Sequence, residues 1–492
     1  MIDQRRNNYM RLWIDVEDIF QYAKNSKRLS GIQRVVFELQ NALFEISPNN
    51  VTFVRHNVSG RGFTIVSPSE LDILFNKFSK PVDLMKPHSI KDTAPSSPRV
   101  SLGRRIGRQL MASLPLEVAN QLRHFRAHQI KALRSLCNAF KAGYIHILLW
   151  VDKKSSPLTR IIKQKAEKRL ATIDPVTAQG DWLISLGSSW NVEGYARMIQ
   201  SICTRNGLNF AILLYDIVPL RHPEWCDYNV VNSFSNWFSS VVPLADRVIA
   251  ISHTTAKDVE KYASETSIKL KSRIATIPLG TGLGRSTAAL RTERLPPPAS
   301  FVLFVSTIEA RKNHVLAFRL WRELLASMSR EQVPTLVFAG RVGWLVADLM
   351  QQLKNADWLG GKILLIEEPS DGELTALYED CLFTLYPSLF EGWGLPVTES
   401  LAHGTPCVAA NASSLPEAGG TLVRYFDPDN LHDALRTVRE LLDNRAGLAA
   451  WRTEIRENFR PISWRESGAA ILRLIRGDLP PEASSPSQAM AR

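Results

Sequence analysis

Long hydrophobic runs are missing from this 492-residue sequence. No apolar stretch approaches the roughly 18 residues that a membrane-spanning helix needs, and the N-terminal residues MIDQRRNNYMRLWIDVED do not resemble a signal peptide. Hydrophobic residues make up 45% and charged residues 22% of the chain, which is ordinary for a globular protein. We therefore expect a cytoplasmic globular protein.

Cysteine is scarce, and two common motifs are absent. The five cysteines are scattered and form no CxxC pair or Cys/His cluster, which argues against a disulfide framework and a zinc site and favours a reducing compartment. A dinucleotide-dependent dehydrogenase needs GxGxxG after its first strand, but LGTGLGR (279–285) has Arg285 in place of the last glycine and lies too late in the chain. The cysteines are Cys137, Cys203, Cys226, Cys381 and Cys407.

Short β-branched runs alternate along the chain with longer helical patterns. This alternation predicts an α/β fold with parallel sheets, and 492 residues are too many for one core. The candidate strands fall into two groups, separated by the proline-rich stretch 285–300, which is typical of a linker. They are 11–16, 181–187, 210–218 and 246–252, then 300–306, 334–340, 362–366 and 381–388.

Positive charge is concentrated in one segment. The net charge is +12, and residues 99–141 contain nine Arg or Lys against one Glu, placed on amphipathic helical patterns. A solvated basic face, an anionic membrane surface and nucleic acid are the alternatives. Few aromatic residues are present there to stack on bases, with Phe125 and Phe140 the main ones, so nucleic acid is disfavoured.

Three stretches of the second half carry the chemistry. In FVSTIEARKNH a strand is followed by Arg311 and Lys312, where the alternative is a solvated basic turn. In LVFAGRVGW another strand ends at Gly340, where a plain turn is the alternative. In LFEGWGLPVTES a strand leads through a glycine-containing loop into a helix, so that Glu391 lies in the loop and Glu399 on the helix. The alternative is that Glu399 merely offsets the helix dipole.

Together these stretches resemble a known family. The run YPSLFEGWGLPVTESLAHGTPCVAANASSLPEAGG is similar to the donor-site signature of the family-4 retaining glycosyltransferases, in which two glutamates are separated by seven residues. The motifs STIEARKNH, LVFAGRVGW, DGELTALYEDC and FDPDN stand in the family's order, and the resemblance is dense over about 299–476. It is thinner in the first half, where SGIQRVVFEL and LLYDIVPLRHPEW carry it.

The resemblance implies a role for each matching residue. Glu391 would bind hydroxyls of the donor sugar, Glu399 the ribose, and Arg311 and Lys312 the diphosphate. These make Glu391, Lys312 and Arg311 the candidate catalytic residues. The other candidate donor-binding residues are Gly392, Trp393, Gly394, Leu395, Thr307, Gly340, Gly31 and Asp216.

Two positions depart from the family pattern. Thr307 stands where many members have an arginine that binds the diphosphate, and a mannosyl-transferring subgroup shares this change. Tyr215 stands where many have a histidine before Asp216, which leaves the first-domain contact to the sugar open. The resemblance implies no metal and no other cofactor, and in FDPDN, Asp429 or Asn430 is expected to cap a helix.

The resemblance also implies the GT-B fold, with two Rossmann-like domains facing a cleft and a C-terminal helix crossing back to the first. We predict an acceptor-side domain (1–285) with a basic helical insertion (about 85–145), and a nucleotide-sugar-binding domain (299–458). Between and after them we predict a linker (286–298), the crossing helix (459–477) and a disordered tail (478–492).

The predicted reaction is transfer of a hexose from a nucleotide sugar to a glycan or lipid-linked acceptor in surface polysaccharide biosynthesis, with retention at the anomeric carbon. GDP-mannose is favoured over a UDP-hexose as donor. The alternatives are a sugar-nucleotide epimerase of the same architecture and a basic nucleic-acid-binding protein. We further expect residues 99–141 to contact the anionic inner face of the membrane, because each cation near such a surface contributes about 1 kcal/mol.

Overall fold

Two β-sheets organise the chain. The computed structural model describes residues 10–25, 31–57, 62–67, 69–70, 73–74, 173–174, 176–282 and 292–477. The predicted basic insertion, the segment 99–141 predicted to contact a membrane, residues 286–291 of the predicted linker and the predicted disordered tail lie outside the described residues.

The first sheet has seven strands within the described residues, in the order β3-β2-β1-β4-β5-β6-β7. All neighbours are parallel except β2 and β3, which pair antiparallel. The strands are β1 (Leu12–Asp15), β2 (Val51–His56), β3 (Phe63–Ile65), β4 (Trp182–Ser185), β5 (Asn209–Leu214), β6 (Arg247–Ala250) and β7 (Ala275–Thr276).

The second sheet has six strands within the described residues, all parallel, in the order β10-β9-β8-β11-β12-β13. Its central strands are apolar and almost fully buried, as parallel strands covered on both faces must be. The strands are β8 (Phe301–Val305), β9 (Thr335–Ala339), β10 (Ile363–Ile366), β11 (Thr384–Tyr386), β12 (Cys407–Ala410) and β13 (Arg424–Phe426).

Helices cover the faces of both sheets. The helices of the first domain are α1 (Glu17–Asn25), α2 (Ile32–Ile46), α3 (Tyr195–Asn206), α4 (Val218–Arg221), α5 (Tyr228–Val241) and α6 (His253–Glu265). Those that follow are α7 (His314–Ser327), α8 (Ala347–Asn355), α9 (Asp371–Asp380), α10 (Leu395–Ala402), α11 (Leu415–Gly419), α12 (Leu431–Asp443), α13 (Arg445–Asn458) and α14 (Trp464–Arg476). Within the described residues, no helix is both long and apolar enough to cross a membrane.

Each sheet has a hydrophobic core on both faces. In the second domain, alternate residues of β8 point to opposite sides, so that Phe304 packs in one cluster and Phe301 in the other. In the first domain, Ile14 and Trp13 divide in the same way between two clusters. These double-faced sheets confirm the predicted α/β fold with two Rossmann-like domains.

The last helix returns to the first domain, as the fold prediction required. Helix α14 begins with a capping box between Ser463 and Glu466 and packs along α2. Its buried residues Ile471 and Ile475 belong to the first domain's core cluster. Helix α14 is therefore part of the first domain's core, whereas α12 and α13, which precede it, pack on the second domain's core.

All eight predicted strands are present, but five strands were missed: β2, β3, β7, β12 and β13. Strands β3, β7 and β13 are edge strands with only two or three residues, and β2 and β12 lie next to an edge. Strand β12, with the sequence CVAA, contains little of the β-branched and aromatic signal on which the prediction depended.

Candidate active site

The candidate site lies where the central strands of the second sheet end. Arg311 and Lys312 belong to a short 3-10 turn, Ala310–Lys312, that follows β8, and Glu391 lies in the loop that follows β11. Strands β8 and β11 are neighbours in the sheet. Because the carboxyl ends of parallel strands meet at one edge, these residues come together although they are far apart in sequence.

Glu391 accepts four side-chain hydrogen bonds. Lys312 Nζ lies 2.5 Å, Ser388 Oγ 2.6 Å and Tyr386 OH 2.9 Å from its Oε1 atom, while Arg311 Nη1 lies 2.8 Å from Oε2. The carboxylate thus has two cations and two hydroxyl groups as partners. All of them come from the second domain.

This ion cluster is buried. Glu391 is only 6% exposed, and such burial by itself would raise the pKa of a carboxyl group. The Arg311 and Lys312 charges outweigh burial and lower the pKa of Glu391 to about 2. Burial also lowers the pKa of Arg311, but Glu391 and Glu309, whose Oε1 accepts from Arg311 Nη2 at 2.8 Å, raise it on balance. The Glu391 carboxylate is therefore ionised throughout the physiological pH range.

Two serines hold the backbone of Glu391 in place. Its N–H donates to Ser413 Oγ at 2.7 Å, and its carbonyl accepts from Ser414 Oγ at 2.8 Å. Gly394 then precedes α10 with φ of 128°, a conformation that favours glycine. The backbone of Glu391, where the loop between the two glutamates begins, is thus held through both its N–H and its carbonyl.

Glu399 lies on α10 and has different partners. Tyr378 OH donates to its Oε2 at 2.9 Å, and Arg34 Nη1 lies 3.3 Å from its Oε1. Arg34 belongs to α2 of the first domain, and its Nη2 also lies 2.8 Å from Asp371 Oδ1. The structure therefore does not join Glu399 to the Glu391 cluster by a direct hydrogen bond, and it places a first-domain cation on Glu399.

The loop that contains Gly392 is pressed against the first domain. A Cβ atom at Gly392 would lie 2.0 Å from the carbonyl oxygen of Tyr215 and 3.2 Å from Cβ of Asp216. Thr255 Oγ1 donates to the Gly392 carbonyl at 3.3 Å. Close backbone approach therefore requires glycine here, and Asp216 lies beside the loop, with its own Oδ1 accepting from the N–H of Val218 at 3.1 Å.

The remaining predicted residues are distributed around this centre. Trp393 and Leu395 pack on the core of the first domain, and Trp393 Nε1 is buried without a hydrogen-bond partner among the described residues. Gly340 is in close contact with the carbonyl of Ser306, and Thr307 borders Gly343. Gly31 precedes α2 with φ of 53°. The predicted roles of these residues in donor binding stay predictions.

Several residues of the site were not predicted from the sequence. Tyr386 and Ser388 belong to the YPS run that carried the family resemblance, so their position just before Glu391 was an available signal. Arg34 follows Gly31 by three residues, but nothing local indicated its partners. Tyr378 lies on α9 inside DGELTALYEDC and was likewise not singled out.

In the FDPDN motif, the side chain of Asp427 accepts a hydrogen bond from the backbone. Asp427 Oδ1 accepts from the N–H of Asp429 at 3.0 Å. Asn430 caps α12 by accepting from the N–H groups of His432 and Asp433, which confirms the predicted cap. Across the described ranges, no group of three or more His, Cys, Asp or Glu side chains is arranged to bind a metal ion.

A second feature is a polar cavity of about 770 Å³ in the first domain. Tyr195 OH and His56 Nε2 both lie 3.0 Å from Asp15 Oδ2, and Arg55 Nε lies 3.2 Å from Glu17 Oε2. Burial lowers the pKa of His56, but the Asp15 charge outweighs it and raises the pKa. The lining includes Asp15, Glu17, Asp18, Gln21, Gln33, Arg55, His56, Asn57, Ser185, Ser188, Ser189 and Asn191.

The cavity and the contact with Gly392 both involve residues at the carboxyl ends of strands of the first sheet, since Ser185 ends β4 and Tyr215 follows β5. Ser185 and Gly187 line it, and the intervening Leu186 carbonyl accepts a hydrogen bond from Tyr215 OH at 2.7 Å. The Tyr215 carbonyl is the group that contacts Gly392. One residue thus joins the wall of the cavity to the loop between the two glutamates.

Comparison with known proteins identifies the second domain. Residues 288–460 match the family described as "Glycosyl transferases group 1". The chain carries a glycosyl transferases group 1 domain. This confirms the family expected from the motifs, and the matched range includes Arg311, Lys312, Glu391 and Glu399.

Relatives of this glycosyltransferase domain match only part of the chain. The chain is 27% identical over 288 residues to the "Serotype-specific mannosyltransferase WbdA" of Escherichia coli, covering 56% of this chain and 34% of that protein. It is 30% identical over 218 residues to the "D-inositol 3-phosphate glycosyltransferase" of Thermobifida fusca, covering 40% and 48%. The chain thus spans about a third to a half of the length of these relatives.

A solved structure matches the glycosyltransferase fold over nearly the whole chain. The glycosyltransferase from Rickettsia africae superposes with a TM-score of 0.50 at 14% identity, covering 97% of this chain and all of that one. At this identity the likeness concerns the fold alone. It supports the two-domain GT-B architecture.

Proposed function

We propose that this protein transfers a hexose from a nucleotide-sugar donor to a glycan or lipid-linked acceptor, with retention at the anomeric carbon and a role in surface polysaccharide biosynthesis. The observation that carries the proposal is the buried cluster of Arg311 and Lys312 on Glu391, with Glu399 eight residues further along the same loop and helix. This cluster belongs to a glycosyl transferases group 1 domain.

The cluster offers both kinds of group that the reaction requires. Glu391 is held ionised, so it accepts hydrogen bonds from donor-sugar hydroxyls, and Glu399 offers the same chemistry to a ribose. Arg311 and Lys312 are cations in a buried setting, where they stabilise the charge that develops on a departing nucleoside diphosphate. We propose that this reaction proceeds without a metal, because these two cations take the part that a metal plays elsewhere.

For the donor we propose GDP-mannose, with a UDP-hexose as the alternative. The supporting observation is that the Escherichia coli relative is named a mannosyltransferase. The two donors differ in base as well as sugar, so their binding is separable. Thermal unfolding with a panel of nucleotide sugars tests this: GDP-mannose should raise the melting temperature most, and a larger rise with a UDP-hexose would replace it.

The acceptor is proposed to bind in the first-domain cavity. Its lining is polar and contains three carboxylates against Arg55 and His56, so hydroxyl groups of a glycan find many acceptors there. Tyr215, which bonds the carbonyl of Leu186 beside the cavity and also contacts Gly392, supports this proposal. A neutral sugar end suits such a lining better than a phosphorylated one, because the carboxylates outnumber the cations.

A sugar-nucleotide epimerase is the second candidate, because it shares the two-domain architecture. The names of the relatives favour transfer over isomerisation. The decisive experiment incubates the full chain with the donor, with and without a neutral oligosaccharide acceptor, and analyses the products. An extended oligosaccharide of retained anomeric configuration supports the proposal, whereas an acceptor-independent change of the donor sugar would establish the epimerase.

Residues 99–141 carry a separate proposal, which rests on the sequence alone because they lie outside the described residues. We propose that their net charge of +8 attaches the protein to the cytoplasmic face of an anionic membrane. Flotation with anionic and neutral liposomes, at low and high salt, measures this. Binding should require anionic lipid and fall with salt, and equal, salt-insensitive behaviour on both would remove the membrane from the proposal.

A further inference from the structure

Arg34 reaches from the first domain to the proposed ribose site. It lies in the first turn of α2, which Gly31 precedes, and its side chain is only 14% exposed. Its two carboxylate partners, Asp371 and Glu399, both belong to the second domain. The roles proposed for Arg311 and Lys312 leave Arg34 without an assigned function.

The two ion pairs of Arg34 differ in length. Its Nη2 atom lies 2.8 Å from Asp371 Oδ1, which is normal for a charge-assisted hydrogen bond. Its Nη1 atom lies 3.3 Å from Glu399 Oε1, which is long for such a bond. The contact with Asp371 is therefore the shorter one. Burial lowers the pKa of Arg34, but the charges of Glu399 and then Asp371 raise it on balance, so both carboxylates stabilise the guanidinium group. Asp371 keeps a direct contact with Arg34 when the longer contact with Glu399 is exchanged for another partner.

The cations of the proposed donor site are already paired with carboxylates, which leaves little positive charge to compensate a diphosphate. Three cations, Arg34, Arg311 and Lys312, face the carboxylates of Glu309, Glu391, Glu399 and Asp371 through the ion pairs described above. A nucleoside diphosphate adds at least two more negative charges. Since Arg311 and Lys312 already bond Glu391, a third cation at the nucleotide end has a clear electrostatic purpose, and an arginine suits phosphate oxygens by its planar fork of donors.

We propose that Arg34 is a donor-binding residue supplied by the first domain. When a nucleoside diphosphate binds, the Arg34 guanidinium exchanges Glu399 for a phosphate oxygen while Asp371 keeps it in place. The ribose hydroxyls then occupy the released oxygen of Glu399. This inference rests on the proposed function, and it makes the first domain a direct participant in donor binding.

The competing explanation is that Arg34 only holds the two domains together. In that case Arg34 would compete with the ribose for Glu399, so its removal would strengthen the binding of nucleosides and nucleoside diphosphates alike. The proposed exchange predicts the opposite sign for the diphosphates and little change for nucleosides. The dependence on phosphate therefore separates the two explanations.

The experiment measures binding of GDP, guanosine, UDP and uridine to the full chain by calorimetry, in wild type, Arg34→Gln and Arg34→Lys. We expect Arg34→Gln to weaken the binding of the diphosphate that wild type prefers by at least about tenfold, and Arg34→Lys by less, because hydrogen bonds to charged groups have this strength. The affinity for the corresponding nucleoside should change by less than about threefold, because it offers no phosphate to Arg34. Arg294→Gln is the matched control, because Arg294, like Arg34, pairs with a carboxylate of α9, in this case Glu373. Its nucleotide affinity should be that of wild type.

Diphosphate binding by Arg34→Gln that equals or exceeds that of wild type would overturn the inference and leave the proposed function standing. An equal loss for nucleoside and diphosphate would also overturn it. Absence of binding of both diphosphates by wild type would overturn the proposed function together with the inference. If Arg34→Gln does not fold, Arg34→Lys decides: unchanged diphosphate affinity refutes the exchange, and a selective loss supports it.

Discussion

Glu391 and Glu399 lie on one short stretch of chain, yet they are stabilised in different ways. The side-chain partners described for Glu391 all belong to the second domain and include two cations. Glu399 has one hydroxyl partner from the second domain and one cation from the first. The sugar end of the proposed donor site is therefore built within one domain, whereas the nucleotide end also depends on the position of the other.

This difference predicts different consequences of substitution. A change at Glu391 removes the counter-charge of two buried cations and an acceptor for the sugar, so it should act on the chemical step. A change at Glu399 removes an acceptor for the ribose and a contact between the domains, so it should act on donor affinity.

Glu391→Gln should lower kcat by at least about a hundredfold, because Arg311 and Lys312 lose their counter-charge and the sugar loses a charged acceptor. Steady-state kinetics with the preferred donor measures the change. The control is Glu440→Gln on the exposed side of α12, which should retain wild-type rates. A near-normal kcat for Glu391→Gln would show that Glu391 does not act on the chemical step.

Lys312→Met should lower kcat on the order of a hundredfold, because it removes one cation from the developing charge of the leaving group. Lys362→Met is a suitable control, since Lys362 Nζ donates to the Val333 carbonyl at 2.5 Å, away from the cluster. Activity of Lys312→Met should be equal in excess EDTA and in added Mn²⁺. Rescue of the variant by Mn²⁺ would show instead that a metal takes part.

Glu399→Ala should raise the KM for the donor by roughly tenfold and change kcat by less than about threefold, because the lost hydrogen bond is made to the ribose before and during transfer. Initial rates over a range of donor concentrations separate the two constants. If kcat fell as far as in Glu391→Gln, the two ends of the site would not be distinct.

His314, close to Lys312 in the chain, makes the free energy of unfolding depend on pH. It is buried, stacks on Phe304 with 4.1 Å between ring centroids, and follows Lys312 by two residues. Burial, and secondarily the Lys312 charge, lower the pKa of His314 from 6.5 to about 3. Between these values the unfolded chain binds a proton that the folded chain does not, so the free energy of unfolding falls as the pH drops.

His314→Phe should remove this contribution while preserving the stacking on Phe304. The free energy of unfolding of wild type should fall by about 2 kcal/mol more than that of the variant between pH 7 and pH 5. Chemical denaturation at both pH values measures it, with His432→Gln, at an exposed position, as the control. Identical pH dependence in wild type and His314→Phe would contradict the assignment.

Much of this architecture could be predicted because it depends on local pattern. The buried central strands, such as Phe301–Val305, are continuous apolar runs. The helix from Leu395 follows Gly394 and has Pro396 in its first turn, which favours its start. The short strands Cys407–Ala410 and Arg424–Phe426 were missed, because pairing with their neighbours, rather than their own composition, makes them strands.

The sequence by itself determined the identity and spacing of Arg311, Lys312, Glu391 and Glu399, and the order of strands brought the first three of them to one sheet edge. The pairing of Glu399 with Arg34, 365 residues earlier in the chain, depends on the tertiary structure. The physical reason is that an ion pair between distant residues depends on how α2 and α10 are placed against each other. No local propensity or periodicity carries that information.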